Sequence, residues 1–100
     1  MKKIIIEGKF TAKANNFVIV DIFRTNSSIE PYNSSKTFHG NFREEITDLQ
    51  PNLSYEIDFS GYTIGTFDLT ISGDFKGTNP ITKSYTAQSF NVGINITTNP

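Results

Sequence analysis

The feature that most constrains the fold is a strict two-residue hydrophobic alternation in the second half of the chain. Leu53, Tyr55, Ile57 and Phe59 alternate with Ser54, Glu56, Asp58 and Ser60. Phe67, Leu69, Ile71 and Phe75 alternate with Asp68, Thr70, Ser72 and Asp74. Successive side chains of a strand point to opposite faces, so each segment predicts a strand with one buried and one wet face. The apolar supply agrees: nine Phe and four Tyr stand against one Met. Aromatic and β-branched side chains pack well on a pleated surface. Abundant Ser, Thr and Asn suit turns and exposed strand faces better than helix interiors.

The same period runs through the first half. Ile4, Ile6, Phe10 and Ala12 share one face, with Gly8 among them, where a bulge or a close backbone approach is expected. Asn15-Asn16 makes a turn. Phe17 to Arg24 is apolar on both faces: Phe17, Ile19 and Phe23 on one, Val18, Val20 and Ile22 on the other. Such a strand is central or covered on both sides. Residues 25–36 are too polar for core and read as a long exposed loop, with Asn-Ser-Ser twice around Ile29, Pro31 and Tyr32. A third segment includes Thr37, Phe38, Phe42 and Ile46, within which Arg43-Glu44-Glu45 has the length of one helical turn. Turns are expected around Gly61 and Gly65 and at Gly77-Thr78-Asn79-Pro80. Near the end, Ile81, Tyr85 and Ala87 hold odd positions, while Phe90, Val92, Ile94 and Ile96 hold even ones; the change of parity predicts a bulge near Gln88-Ser89. Thr97 to Pro100 carries no core residue.

The reading is an all-β chain of 100 residues folding as one domain over 1–100, a two-sheet sandwich of about seven short antiparallel strands. A chain of this size buries roughly two-thirds of the surface its unfolded form exposes. There is no cysteine, hence no disulfide and no thiolate metal site.

Leu49-Gln50-Pro51-Asn52-Leu53-Ser54-Tyr55 resembles the Leu-x-Pro-x-x-x-Tyr corner of fibronectin type III domains. In those domains the Tyr hydroxyl bonds back to the chain upstream. A longer stretch, from Gly40-Asn41-Phe42 through Leu49-Gln50-Pro51 and Tyr55 to Gly61-Tyr62, is similar to the transthyretin-like repeats of carboxypeptidase regulatory domains. Asn52-Leu53 stands where those repeats have Gly after Pro, and the gap from Phe42 to Leu49 is longer. The resemblance covers about a quarter of the chain. It implies an immunoglobulin-like sandwich with Tyr55 buried and its hydroxyl bonded to backbone near Asp48 to Gln50. It implies no function, because such sandwiches host many.

Residue chemistry points away from catalysis. His39 is the only histidine, and no Ser sits in a Gly-x-Ser-x-Gly elbow. Glu44-Glu45 and Glu56 with Asp58 are paired carboxylates, with Asp68 expected across from the second pair; on a flat strand they form neither a glycosidase cleft nor a calcium loop. No catalytic, cofactor-binding or metal-ligating residue is assigned. The Asn-x-Ser/Thr patterns at Asn26, Asn33, Asn52 and Asn95 read as chance in an Asn/Ser/Thr-rich chain. Charge is uneven: residues 1–43 carry a net +4, residues 44–75 a net −7 and residues 76–100 a net +2. Read as a bipolar surface, this would help like subunits dock. Lys2, Lys3, Lys9 and Lys13 lack the aromatic comb of a nucleic-acid binder. Three isoleucines after Lys3 fall short of the roughly 7–15 apolar residues of a secretory signal. No run approaches the roughly 20 apolar residues of a membrane span. The expected location is a virion or the cytoplasm.

Two functional readings follow. The first is a non-enzymatic structural module whose partners are proteins of a larger assembly, including copies of itself; small immunoglobulin-like proteins of this kind resemble the auxiliary proteins that decorate tailed-phage capsids. Its expected contact residues are Ile29, Pro31 and Tyr32, an apolar kernel between flexible segments. The second is a carbohydrate-binding or adhesion module in which Tyr32, Tyr62 or Tyr85 stacks on sugar rings.

Overall fold

A computed structural model describes residues 1–25 and 32–100. They form eight strands: β1 (Lys2–Phe10), β2 (Phe17–Arg24), β3 (Asn33–Phe38), β4 (Phe42–Leu49), β5 (Ser54–Tyr62), β6 (Phe67–Gly73), β7 (Ile81–Tyr85) and β8 (Ser89–Thr97). There is no helix among the described residues. Two four-stranded antiparallel sheets stack as a sandwich, in the orders β4-β1-β6-β7 and β3-β2-β5-β8. The all-β, two-sheet architecture is as expected, with eight strands in place of about seven.

The alternation converts directly into a core. From β1 come Ile4, Ile6 and Phe10; from β2, Val18, Val20 and Ile22; from β5, Tyr55, Ile57 and Phe59; from β6, Phe67, Leu69 and Ile71, all buried. The Phe67 ring is a hub. It stacks on Phe90 at 5.1 Å, lies 4.8 Å from Phe10, and is 6.4 Å from both Phe42 and Phe59. Gly8 is the close approach its place among apolar neighbours implied. A Cβ there would fall 2.6 Å from Phe42 Cζ and 2.8 Å from Phe67 Cε1, so the missing side chain is the space those rings fill.

Several boundaries differ from the sequence reading. The 25–36 stretch is not loop throughout: Asn33–Phe38 pairs with β2 as β3. Arg43-Glu44-Glu45 is strand, not a helical turn. Gly61 lies within β5, between Val18 and Phe90, and the chain turns after Tyr62. The parity change before β8 is no bulge. β7 and β8 belong to different sheets, so the segment between them crosses the sandwich and resets the alternation. Thr98 in the supposedly coreless tail is fully buried.

Two polar knots close the ends of the sandwich. At one end Thr63 Oγ1 donates to Asn16 Oδ1 (2.7 Å), Asn16 Nδ2 donates to Ala12 O (2.7 Å), and the Gly65 N–H donates to Thr63 Oγ1 (3.1 Å). This ties the β1–β2 turn to the β5–β6 turn. At the other end the Gln50 N–H donates to the Tyr55 hydroxyl (2.9 Å), while Thr98 Oγ1 donates to Gln50 O (2.6 Å) and accepts from the Leu53 N–H (3.0 Å). The tyrosine corner is therefore present, with Asn52 at φ 60° in its turn. Tyr55→Phe removes the acceptor of the Gln50 N–H and is expected to cost about 0.5–1.5 kcal/mol in equilibrium unfolding. A neutral substitution would mean that water replaces the bond without loss.

Candidate functional site

The inward residues account for only half of the apolar pattern of β2. Its other half, Phe17, Ile19 and Phe23, alternates to the outer face of the β3-β2-β5-β8 sheet. Phe17 is 38% exposed, and Ile19 and Phe23 are half-buried. β2 is central in its sheet, as its double apolarity predicted, and these three side chains stand on the face turned away from the core.

Register places the neighbours. Asp21 stands opposite Asp58, Phe23 opposite Glu56, Ile19 opposite Ser60 and Phe17 opposite Tyr62. On the far side of β5, Glu56 faces Asn95, Asp58 faces Gly93 and Ser60 faces Asn91, with Ser60 Oγ donating to Asn91 Oδ1 at 3.2 Å. The result is a flat surface with three carboxylates at its centre, flanked by Phe17, Ile19, Phe23 and Tyr62. Among the described residues, none whose side chain alternates to this face is Lys or Arg. A hydrogen bond to Asp58, with desolvation and the repulsion of that carboxylate, holds the Glu56 carboxyl above its ordinary pKa. Like charges held together without a counter-ion favour a bound proton.

The acid opposite Asp58 is thus Asp21 and not the expected Asp68. Asp68 belongs to the other sheet, where Ser84 Oγ donates to it. The acidic 44–75 block also divides between the sheets. Glu44 pairs with Lys36 (2.5 Å), and Glu45 lies near Lys3 (3.5 Å) and Arg43 (3.6 Å). These two β4 acids have cations beside them, whereas Asp21, Glu56 and Asp58 share a face to which no Lys or Arg of the described residues alternates.

Of the expected contact residues, Ile29 and Pro31 lie outside the described residues. Tyr32 is half-buried against its own domain. Its ring meets Tyr55 edge-on at 5.6 Å, and its hydroxyl donates to Asp48 Oδ1 at 2.9 Å. Burial, helped by Asp48, pushes its pKa up to about 12. Tyr85 packs on Phe90 with ring centroids 6.1 Å apart, and burial raises its pKa too. Only Tyr62, of the three candidate sugar-stacking residues, stands on an open sheet face. His39 is exposed in the β3–β4 turn. Among the described residues no group of three or more His, Asp or Glu is placed to hold a metal ion, and no helix is long and apolar enough to cross a membrane. Compared with protein-family models, curated protein sequences and solved structures, the chain gives no match.

Proposed function

We propose that this chain is a non-enzymatic interaction module, an auxiliary component of a larger protein assembly such as a phage virion, and that it docks through the outer face of the β3-β2-β5-β8 sheet. The observation that carries the reading is the outward-facing apolar half of β2 set beside Asp21, Glu56 and Asp58. Apolar surface gathered around carboxylates with no cation on their own face suits a specific contact better than free solvent, because a partner both buries the rings and answers the carboxylates. Ile29, Pro31 and Tyr32 remain candidate secondary contacts. Tyr32 would present only the part of its ring that Tyr55 leaves open.

The test is an Ile19→Ser, Asp58→Lys double variant, compared with the native chain for melting temperature and for co-sedimentation with particles purified from the source of the protein. Both positions lie on the outer face, so melting should change by no more than a few degrees. Co-sedimentation of the native chain should be lost in the variant. Retained co-sedimentation would remove this face from the docking reading.

A second reading rests on Phe17 and Tyr62, opposed across β2 and β5 beside the Ser60–Asn91 pair. Aromatic rings with hydroxyls and amides alongside suit a sugar ring. Glycan-array binding that Tyr62→Ala abolishes would favour it.

A further inference from the structure

The docking face continues to an edge whose chemistry names a partner more closely. Four strands end the two sheets, and three are protected in the usual way. β3 carries Lys36; β4 carries Arg43, Glu44, Glu45 and Asp48; β7 is only five residues long and carries Lys83. β8 is nine residues long, Ser-Phe-Asn-Val-Gly-Ile-Asn-Ile-Thr, with no charge and no proline. Its register with β5 runs unbroken from Ser54↔Thr97 to Tyr62↔Ser89.

The direction of its peptide groups follows from bonds at both ends. Gln88 O accepts from the Thr63 N–H (2.8 Å), and the Thr98 N–H donates to Leu53 O (2.9 Å). Even positions therefore turn their backbone groups toward β5, and odd positions turn theirs outward. Thr97 obeys the rule, its carbonyl accepting from the Lys76 N–H at 2.9 Å on the outer side. That leaves Ser89, Asn91, Gly93 and Asn95 as a row of outward donors and acceptors. At the middle of β8 an open groove of about 430 Å³ lies beside Gly93 and Ile94, with Pro80, Ile81 and Lys83 on its other side.

Gly93 then selects the occupant. Asp58 Oδ1 lies 2.8 Å, and Glu56 Oε2 3.4 Å, from where a Gly93 Cβ would sit. Both carboxylates lean across β8 toward its open edge, over the one position with no side chain. An added strand lies about 4.7–4.9 Å farther out. A long cationic side chain opposite Gly93 would lie across the glycine and meet both acids. A second copy pairing β8 with β8 about Gly93 would instead bring two Asp58–Glu56 pairs together.

We infer, resting on the docking reading above, that β8 accepts an extended strand of a partner protein, antiparallel and carrying Lys or Arg opposite Gly93 on the outer face. On the inner side that strand meets Ile94, Ile81 and Lys83, so its alternate residues are apolar or acidic. Backbone bonds supply affinity and the cation sets register, the division of labour usual in strand addition.

The experiment titrates the ¹⁵N-labelled chain with a blocked nonapeptide, Thr-Val-Thr-Val-Lys-Val-Thr-Val-Thr, and with its twin bearing Glu for Lys. The Lys peptide should shift the amides of Ser89, Asn91, Gly93 and Asn95 and bind about tenfold more tightly than the Glu peptide. Asn95→Pro removes only an outward-facing N–H, so it should keep the β5 ladder and melting temperature while abolishing the shifts. Absence of shifts at about 1 mM Lys peptide, equal binding of the two peptides, or self-association of the free chain through β8 would each overturn the inference. If Asn95→Pro still co-sediments with particles and the Ile19→Ser, Asp58→Lys chain does not, β8 is excluded while the docking face stands.

Discussion

Phe67→Ala is expected to destabilise the domain by about 3–5 kcal/mol, the usual range for deleting a buried Phe side chain. The ring is fully buried and touches aromatics from four other strands: Phe10 of β1, Phe42 of β4, Phe59 of β5 and Phe90 of β8. Those strands belong to both sheets, so the vacated volume cannot be filled by moving one of them without opening the ladder of another. Domains of this size have about 5–15 kcal/mol in total. A loss near the upper end would leave a domain at the low end of that range partly unfolded at room temperature. Denaturant unfolding with the slope held common to native and variant measures it. A loss under about 1 kcal/mol would mean that the two sheets do not meet at Phe67.

Gly61→Ala is expected to cost about 3 kcal/mol by the opposite mechanism, overpacking. A Cβ on Gly61 points into the Phe17 carbonyl oxygen and lies 2.7 Å from Phe90 Cζ and 3.0 Å from Val18 Cα. Two of the three obstacles are backbone of the neighbouring strand, which has no rotamer to change. β2 must shift away from β5, and that shift spoils a register running from Phe17↔Tyr62 to Arg24↔Tyr55. Gly40 is the control. Nothing lies within 4 Å of its notional Cβ, so Gly40→Ala should leave the midpoint almost unchanged. If the two variants unfold alike, Gly61 does not sit under β2.

How much of this was legible in the sequence depends on whether the deciding contacts are local. β5 and β6 were plain, because alternation is imposed residue by residue by the face that is buried. The Tyr55 corner was legible for a similar reason. Its acceptor serves an N–H five positions upstream, within one turn of chain. β3 was not legible: Asn33–Phe38 is polar, an edge strand defined by its ladder to β2, and a ladder formed by backbone groups leaves little mark on side-chain composition. The parity change before β8 was visible, but a bulge and a crossing between sheets write the same change.

For the candidate site the division is the same. The sequence by itself determined that β2 is apolar on both faces, that Glu56 and Asp58 share one wet face, and that β8 carries no charge. Tertiary structure alone decided that the acid set opposite Asp58 is Asp21 and not Asp68, that Gly93 lies beneath Asp58 and Glu56, and that β8 is an edge of the β3-β2-β5-β8 sheet. It also decided that Tyr32 rests on Tyr55 and that Thr98 is interior. Side-chain alternation is a property of each strand and survives in the order of residues. Which strand lies beside which is settled by the packing of two faces drawn from across the chain, with Asp21 and Asp58 brought together over an interval that no local period records.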